Sequence, residues 1–414
     1  MKKLTATILV FIMVLTLSMH PTEQRAQAAT TYIKVDAFIK NLVTKMKLPV
    51  DKSIKEPYIQ AAKDVNILKD GDFTKYSDYL TRTDLAVLIN RADEYLNGDT
   101  VDTQLLKTVL KKRISDIKKI KESKREDVAK AYAKGFFKGY SNGYYIQNRE
   151  FRGSLQVSIG AATTAINLLL KPSKRAGISP DGMLIRTTNL PKNANRYEYI
   201  LECYPNSFYE KQFDFMINKN YKKEFVKNKD YCYPGDMKKF TFRNWYDQWS
   251  FKKEMDKYLY DWADMAEQYL NYIFNVDYKT VGDKWIEGLA ALFVRSNRDR
   301  EADIRSFYID DMKANKVVVE SSIIAVEPST LYYYTGWRMR AYVKYRITAK
   351  DINVKQNKLL YSQYPMLDNL KSGEWRTGVF DVLFATNNGS SGDGSDFAID
   401  IVTYFVDAYN IPVK

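Results

Sequence analysis

Two stretches of the chain repeat one another at long range, and a repeat of this kind constrains the architecture more tightly than any compositional property. Residues 61–96 read AAKDVNILKDGDFTKYSDYLTRTDLAVLINRADEYL, and residues 130–170 read KAYAKGFFKGYSNGYYIQNREFRGSLQVSIGAATTAINLLL. Setting Arg82 against Arg152 and Leu85 against Leu155 gives a period of 70 residues at that point. Each copy offers a short helix with small apolar residues, a turn at Asp70-Gly71 or Asn142-Gly143, a short extended segment, and an arginine opening a longer apolar helix. Two copies of one helix-turn-helix unit are therefore expected.

At the head of the longer helix of the first copy stands Thr81-Arg82-Thr83-Asp84. The Thr81 hydroxyl is expected to cap the helix by accepting from the Asp84 N–H, while the Asp84 carboxylate reaches back to the N–H of Thr81. That device is worth about 1 kcal/mol and accounts for Thr81 and Asp84. Arg82 is left unexplained, because a cation in the first turn opposes the positive end of the helix dipole. Free N–H groups and a planar guanidinium would together cradle a carboxylate or a phosphate; the alternative is a solvated surface arginine. In the second copy Phe151 cannot cap and Ser154 stands where the acid would be. The helix is therefore expected to start late, at Ser154 as its N-cap, with Arg152 outside it.

These motifs resemble the S-layer homology (SLH) family, whose marks are a helix ending in glycine, a G-x-x-x-G-x-F turn and a TRAE-like tetrapeptide opening a second helix. The matching residues are Asp70-Gly71-Asp72-Phe73 with Thr81-Arg82-Thr83-Asp84, and Gly139-Tyr140-Ser141-Asn142-Gly143-Tyr144 with Phe151-Arg152-Gly153-Ser154. The resemblance covers about residues 31–175. It implies that the tetrapeptide arginine contacts an acidic sugar substituent, commonly a pyruvate ketal, of an anionic secondary cell-wall polysaccharide. On that basis Arg82, Thr81, Asp84 and Arg152 are the candidate polysaccharide-binding residues. Two departures stand out: Tyr58 takes the place where the family usually has tryptophan in the first helix of copy one, and a third full copy is not visible.

Composition narrows the chemistry. Met1-Lys2-Lys3, the apolar run from Leu4 to Met19 and the small-x-small Ala26-Gln27-Ala28 read as a secretory signal peptide over residues 1–28, giving a secreted chain at the cell wall or cell surface. The apolar run falls short of the ~18 residues that span a bilayer, and no longer one follows, so no membrane span is expected. The only histidine, His20, lies inside that leader, and a mature chain without histidine has no Ser-His-Asp or Cys-His chemistry. Cys203 and Cys232 are a disulfide candidate in an exported chain, worth roughly 3 to 4 kcal/mol if closed; two buried thiols are the alternative. The chain carries a formal +14, and the excess is local: residues 29–180 hold 28 Lys and Arg against 17 Asp and Glu, residues 181–414 hold 33 against 32. An anionic partner of the N-terminal third is implied, and export disfavours nucleic acid. Between the copies, Leu105 to Arg113 with Lys118, Lys119 and Lys121 has helical spacing and basic residues that could follow an acidic polymer, or a solvated face.

The expected organisation is an α+β chain: an SLH-like module over 29–175, with repeats at about 31–97 and 114–171, a linker and connector over 176–240, and an α+β domain over 241–414. In the last, a long amphipathic helix is expected over 244–274 and another over 283–313. Alternating strands are expected over 316–326, 332–349, 375–386 and 397–409. Helices on one face of an antiparallel sheet follow from that order. A cystatin-like or NTF2-like curved sheet fits, though no motif selects it. Alternation sends Arg338, Arg340, Tyr342, Lys344 and Arg346 to one face, either as a cationic glycan-binding stripe or paired across strands with residues such as Glu374 and Asp381. Asp299, Glu301, Asp303, Asp310 and Asp311 supply carboxylates for a histidine-free glycan hydrolase, the competing function. Their alternation with Arg298, Arg300 and Arg305 fits a salt-laced surface, and no catalytic pair is nominated. Residues 387–396 read as a flexible hairpin tip, and neither cofactor nor metal is called for.

Overall fold

The structure is a computed structural model that describes residues 31–140, 143–211, 252–294, 300–333, 337–362, 365–367, 369–386, 396–400, 403, 405 and 406. The leader with His20, Cys232, Trp245, Trp249, Asp299 and the tip 387–395 lie outside them. The described part is mixed α and β, with an antiparallel main sheet, as the order of helical and alternating segments requires.

The first half is helical. Its helices are α1 (Val35–Met46), α2 (Pro57–Asp64), α3 (Arg82–Asn97), α4 (Thr103–Thr108), α5 (Glu122–Ala133) and α6 (Ile159–Leu170). α4 runs on into a single π turn, Val109–Arg113, so the basic segment between the copies is helical as its spacing indicates. Phe38, Ile39 and Leu42 of α1, Leu85, Leu88 and Ile89 of α3, Val128 and Tyr132 of α5 and Ala162, Ile166 and Leu169 of α6 share one core. Each set recurs at three- and four-residue intervals, the spacing that puts side chains on one helix face.

The stretch expected to be a linker is packed over its described part. Tyr197, Leu201, Tyr204, Phe208 and Tyr209, the last two in α7 (Asn206–Tyr209), form a second core with Ala325 and Val379 of the sheet. The sheet runs β1 (Val276–Asp277), β2 (Val318–Val326), β4 (Trp337–Thr348), β6 (Arg376–Thr386) and β7 (Phe397–Ile399), all neighbours antiparallel, with β3 (Tyr332–Tyr333) paired to β4. The expected last strand breaks after Ile399: β8 (Phe405–Val406) pairs in parallel with β5 (Pro365–Met366) instead. α8 (Lys252–Phe274) lays Leu259, Trp262, Ala266, Leu270 and Ile273 on Trp337, Met339, Ala341, Val343 and Tyr345, the apolar side of β4. The helix expected over 283–313 is interrupted: α9 (Asp283–Ala290) ends before a loop at Leu292 and Phe293, and α10 (Arg300–Ile304) and α11 (Asp310–Ala314) flank a π turn. Phe293 turns into the core and bridges to Ile399, which ends the helix there.

The other face of β4 carries the alternating cations, but the connector covers half of it. Arg340 is 1% exposed, donates from Nε to Asp381 at 3.0 Å, and reaches the Phe208 and Lys211 carbonyls. Tyr342 lies flat on Tyr145 at 3.4 Å between ring centroids. An open glycan-binding stripe is thereby ruled out at Arg338 and Arg340, both buried. Only Lys344 and Arg346 remain near the surface, over Trp375, with Arg346 paired to Glu320 at 2.7 Å.

Candidate functional site

Three short extended leads enter α1, α3 and α6, and they meet. Ile33 donates its N–H to the Val157 carbonyl, Val157 to Leu80, and Leu80 back to Ile33, each at 2.9 Å, closing a ring of three backbone hydrogen bonds. Two residues further on, the first helical N–H of each lead repeats the pattern: Val35 to the Asp78 carbonyl at 3.0 Å, Arg82 to Leu155 at 2.8 Å and Ile159 to Thr31 at 3.1 Å. Ile33, Leu80 and Val157 are buried at this hub. The half-copy at 31–46 thus fills a third position beside the two copies visible in the sequence.

This geometry corrects the alignment of the copies. Ile33, Leu80 and Val157 are equivalent, so Arg82 corresponds to Ile159 and Val35 rather than to Arg152. The N-cap of α6 is Ser158, whose hydroxyl accepts from the Ala161 N–H at 3.2 Å; Ser154, the expected cap, lies in the turn before it. Arg152 is outside the helix as expected, with φ 55°. Of the three equivalent first-helical positions, only that of α3 carries a cation.

The cap of α3 is present in altered form. The Asp84 N–H donates to Thr81 Oγ1 at 3.2 Å, but the Asp84 carboxylate does not reach the Thr81 N–H. It accepts instead from the Thr81 hydroxyl at 2.5 Å and from Lys124 Nζ at 2.6 Å. Nor do the amides at the helix start stand free, as an anion cradle would need. The Arg82 and Thr83 N–H groups donate to the Leu155 and Gly153 carbonyls of the second copy, at 2.8 and 2.9 Å. The lead of α6 lies alongside that of α3 and consumes the donors, which leaves the Arg82 side chain as the anion-attracting group.

That side chain borders a cleft of about 400 Å³ between α3, α6 and the turn after α5. Tyr32, Phe136, Phe137, Tyr140, Gln156 and Thr164 are among its walls. Arg82 Nε donates to the Phe151 carbonyl at 2.9 Å, and the guanidinium carbon lies 4.9 Å from the Phe137 ring centre, 4.9 Å from Phe151 and 5.4 Å from Tyr140. Burial pulls the Arg82 pKa below its ordinary value, opposed by the fields of Tyr140 and Asp116. The group stays charged in a protein at any ordinary pH. Five other arginines of this half, Arg91, Arg113, Arg149, Arg152 and Arg175, are ion-paired, and Arg125 caps the Ile120 and Lys118 carbonyls. Arg82 has no carboxylate at ion-pair distance among the described residues. Ring faces compensate a desolvated guanidinium by about 0.5 to 2 kcal/mol each and leave its terminal nitrogens able to take a planar anion.

Arg152 approaches the cleft through Tyr140, one of its walls. It is exposed, donates from Nε to Glu150 at 2.8 Å, and holds its guanidinium carbon 4.2 Å from the Tyr140 ring centre. Tyr140, held by its backbone bridge to Glu150, is therefore shared by both arginines. In the sequence Tyr140 stands out only as a turn residue; the signal for its role is the aromatic run Phe136-Phe137 with Tyr140 three residues on.

Elsewhere, Cys203 is buried, and its pairing with Cys232 falls outside the described residues. The acid-rich helix ends in the second half are laced to cations: Asp311 to Lys358 at 3.0 Å, Asp283 to Arg305 at 2.8 Å and Asp303 to Arg300 at 3.9 Å. Among the described residues no group of acids, cysteines or histidines is placed to hold a metal, and no helix is long and apolar enough to cross a membrane. No protein-family model matches the chain, and no curated protein and no solved structure is detectably similar to it.

Proposed function

We propose that this is an exported cell-surface protein attached non-covalently to an anionic secondary cell-wall polysaccharide through its SLH-like N-terminal half, and that it displays its C-terminal α+β part from that anchorage. One observation carries the reading: Arg82 is a partly buried cation with no acid partner among the described residues, opening on an aromatic-lined cleft. A cleft of this volume falls in the range of small-ligand sites, and tyrosine rings beside a guanidinium suit a sugar ring bearing a carboxylate. Arg82 is the ligand contact, Arg152 the rim contact, and Thr81 and Asp84 position Arg82 by fixing the start of α3.

The test is co-sedimentation with purified sacculi, before and after chemical removal of their acidic polysaccharide. A charge-assisted hydrogen bond is worth about 1.5 to 3 kcal/mol, so Arg82→Gln should weaken binding by roughly ten- to a hundredfold. Arg82→Lys should retain part of it, because a lysine keeps the charge but not the planar fork. Thermal stability should be unchanged or slightly higher in Arg82→Gln. Equal binding by wild type and Arg82→Gln, or binding indifferent to removal of the polysaccharide, would reject the assignment.

A further inference from the structure

The cleft does not end at Arg82. Beyond Tyr140 and Arg152 the surface continues onto the short 3₁₀ turn Ile117–Lys119 and the start of α5. Asp116 ties the two segments together, its carboxylate accepting from the Phe151 and Arg152 N–H groups at 2.6 and 2.8 Å. Ile120 packs against Gly153 from the same side. Lys118, Lys119 and Lys121 are all exposed on this turn, and none of the three has an ion-pair partner among the described residues. This contrasts with Lys124, Lys130 and Lys134 on the adjoining helix and its end, which are committed to Asp84, Asp99 and Glu126, and Asp93. The fold thus neutralises the partly buried lysines of this region and leaves the exposed row next to the Phe151–Gly153 segment without ion-pair partners among the described residues.

We infer that the ligand is an extended polyanion, an acidic glycan with a negative charge recurring along its length, which places one acid group at Arg82 and runs on over Arg152 to the Lys118–Lys121 ridge. The inference rests on the cleft being a glycan site and specifies what kind of glycan occupies it. A lone terminal acid would need Arg82 alone. A chain with recurrent charges gains at each lysine, displaces counterions from both partners, and so binds with an affinity that falls steeply as salt rises.

The experiment is sedimentation with sacculi retaining their acidic polysaccharide, at a series of sodium chloride concentrations, for wild type, Arg82→Gln and the triple variant Lys118→Gln/Lys119→Gln/Lys121→Gln. Circular dichroism melts establish that both variants fold. The triple variant should bind about tenfold more weakly than wild type at low salt, with a shallower salt dependence, and converge on wild type at high salt, because exposed charge pairs contribute ~0.2 to 1 kcal/mol each and are screened. Arg82→Gln should bind more weakly at every salt concentration. If the triple variant tracks wild type throughout while Arg82→Gln loses binding, the ridge is merely solvated and the inference fails, leaving the cleft assignment intact. If Arg82→Gln binds normally and only the triple variant fails, the cleft assignment falls and takes with it the path through Arg82, so the inference is overturned and the ridge alone holds the polyanion. Indifference of both variants removes both.

Discussion

Gly153 is a point of close approach between the two copies. Its carbonyl accepts the Thr83 N–H, and a Cβ added to it would collide with Thr83 Oγ1 and press on Ile120. The residue is needed for close approach rather than for backbone freedom, since the helix start that presents Arg82 is braced against this point. Gly153→Ala should destabilise by about 1 to 3 kcal/mol in urea unfolding, the usual penalty of forcing a methyl into a packed contact. Thr83→Ala should remove most of that penalty in the double variant, giving an interaction energy of opposite sign to the single effects. Additive losses in the cycle would mean that the contact is not the cause. Glycine's role here was invisible in the sequence, where Gly153 reads only as one position of a degenerate tetrapeptide. The Thr81–Asp84 cap was legible because it depends on residues three apart, whereas the Lys124 partner of Asp84 comes from 40 residues away.

Helix α6 shows what a repeat reveals at the scale of elements and what it conceals. Its apolar pattern is legible, and so is the displacement of Arg152 from it, but the start lies one turn later than the Ser154 cap the sequence suggests. Seven residues separate Arg152 from Ile159, and the hub needs Val157 buried two positions ahead of the helix, which moves the cap to Ser158. Ser158→Ala should therefore cost about 1 kcal/mol, whereas Ser154→Ala should be close to neutral. Chemical unfolding of the two variants decides this, and the reverse order would restore the earlier start. The third lead at 31–34 could not be found by periodicity, because it brings one helix and no turn motif. Its membership comes from backbone bonds to Leu80 and Val157 that no local pattern encodes. The same argument applies to β4. Alternation assigned its two faces correctly, yet which face met solvent was settled by tyrosines 130 to 200 residues away in the chain, those of the connector and of the turn at Tyr145.

Across the whole molecule, the helical half and the sheet are joined through the connector, and the joint contains a buried acid. Gln147 donates to the Val326 carbonyl at 2.7 Å and Tyr204 to the same carbonyl at 2.9 Å, while Lys112 pairs with Asp264 of α8. One residue past Val326, Glu327 is fully buried and caps the turn Pro328–Thr330, accepting from Ser329 Oγ at 2.9 Å, from the Thr330 N–H at 3.1 Å and from Tyr209 Oη at 3.4 Å. Burial pushes its carboxyl up to about 8, reinforced by the field of Asp181 and only partly opposed by the donors from Ser329 and Thr330. Tyr199, Tyr204 and Tyr209 crowd it, and burial holds each of them above the ordinary phenol range, so they remain neutral across the window. The folded chain therefore keeps a proton here that the unfolded chain releases near pH 4.5. The stabilisation is complete below that value and is lost progressively as pH rises through about 8, above which both states are ionised. Arg340, whose Nε is committed to Asp381, offers no direct neutralisation of Glu327; its carbonyl accepts the Glu327 N–H instead. Glu327→Gln keeps an acceptor and the volume but removes the titration. The difference in unfolding free energy between wild type and this variant should move in the variant's favour between pH 5 and pH 8 and level off above. A difference that is flat over that range would show that Glu327 is already ionised at pH 5, and that its hydrogen bonds outweigh the cost of burying its charge.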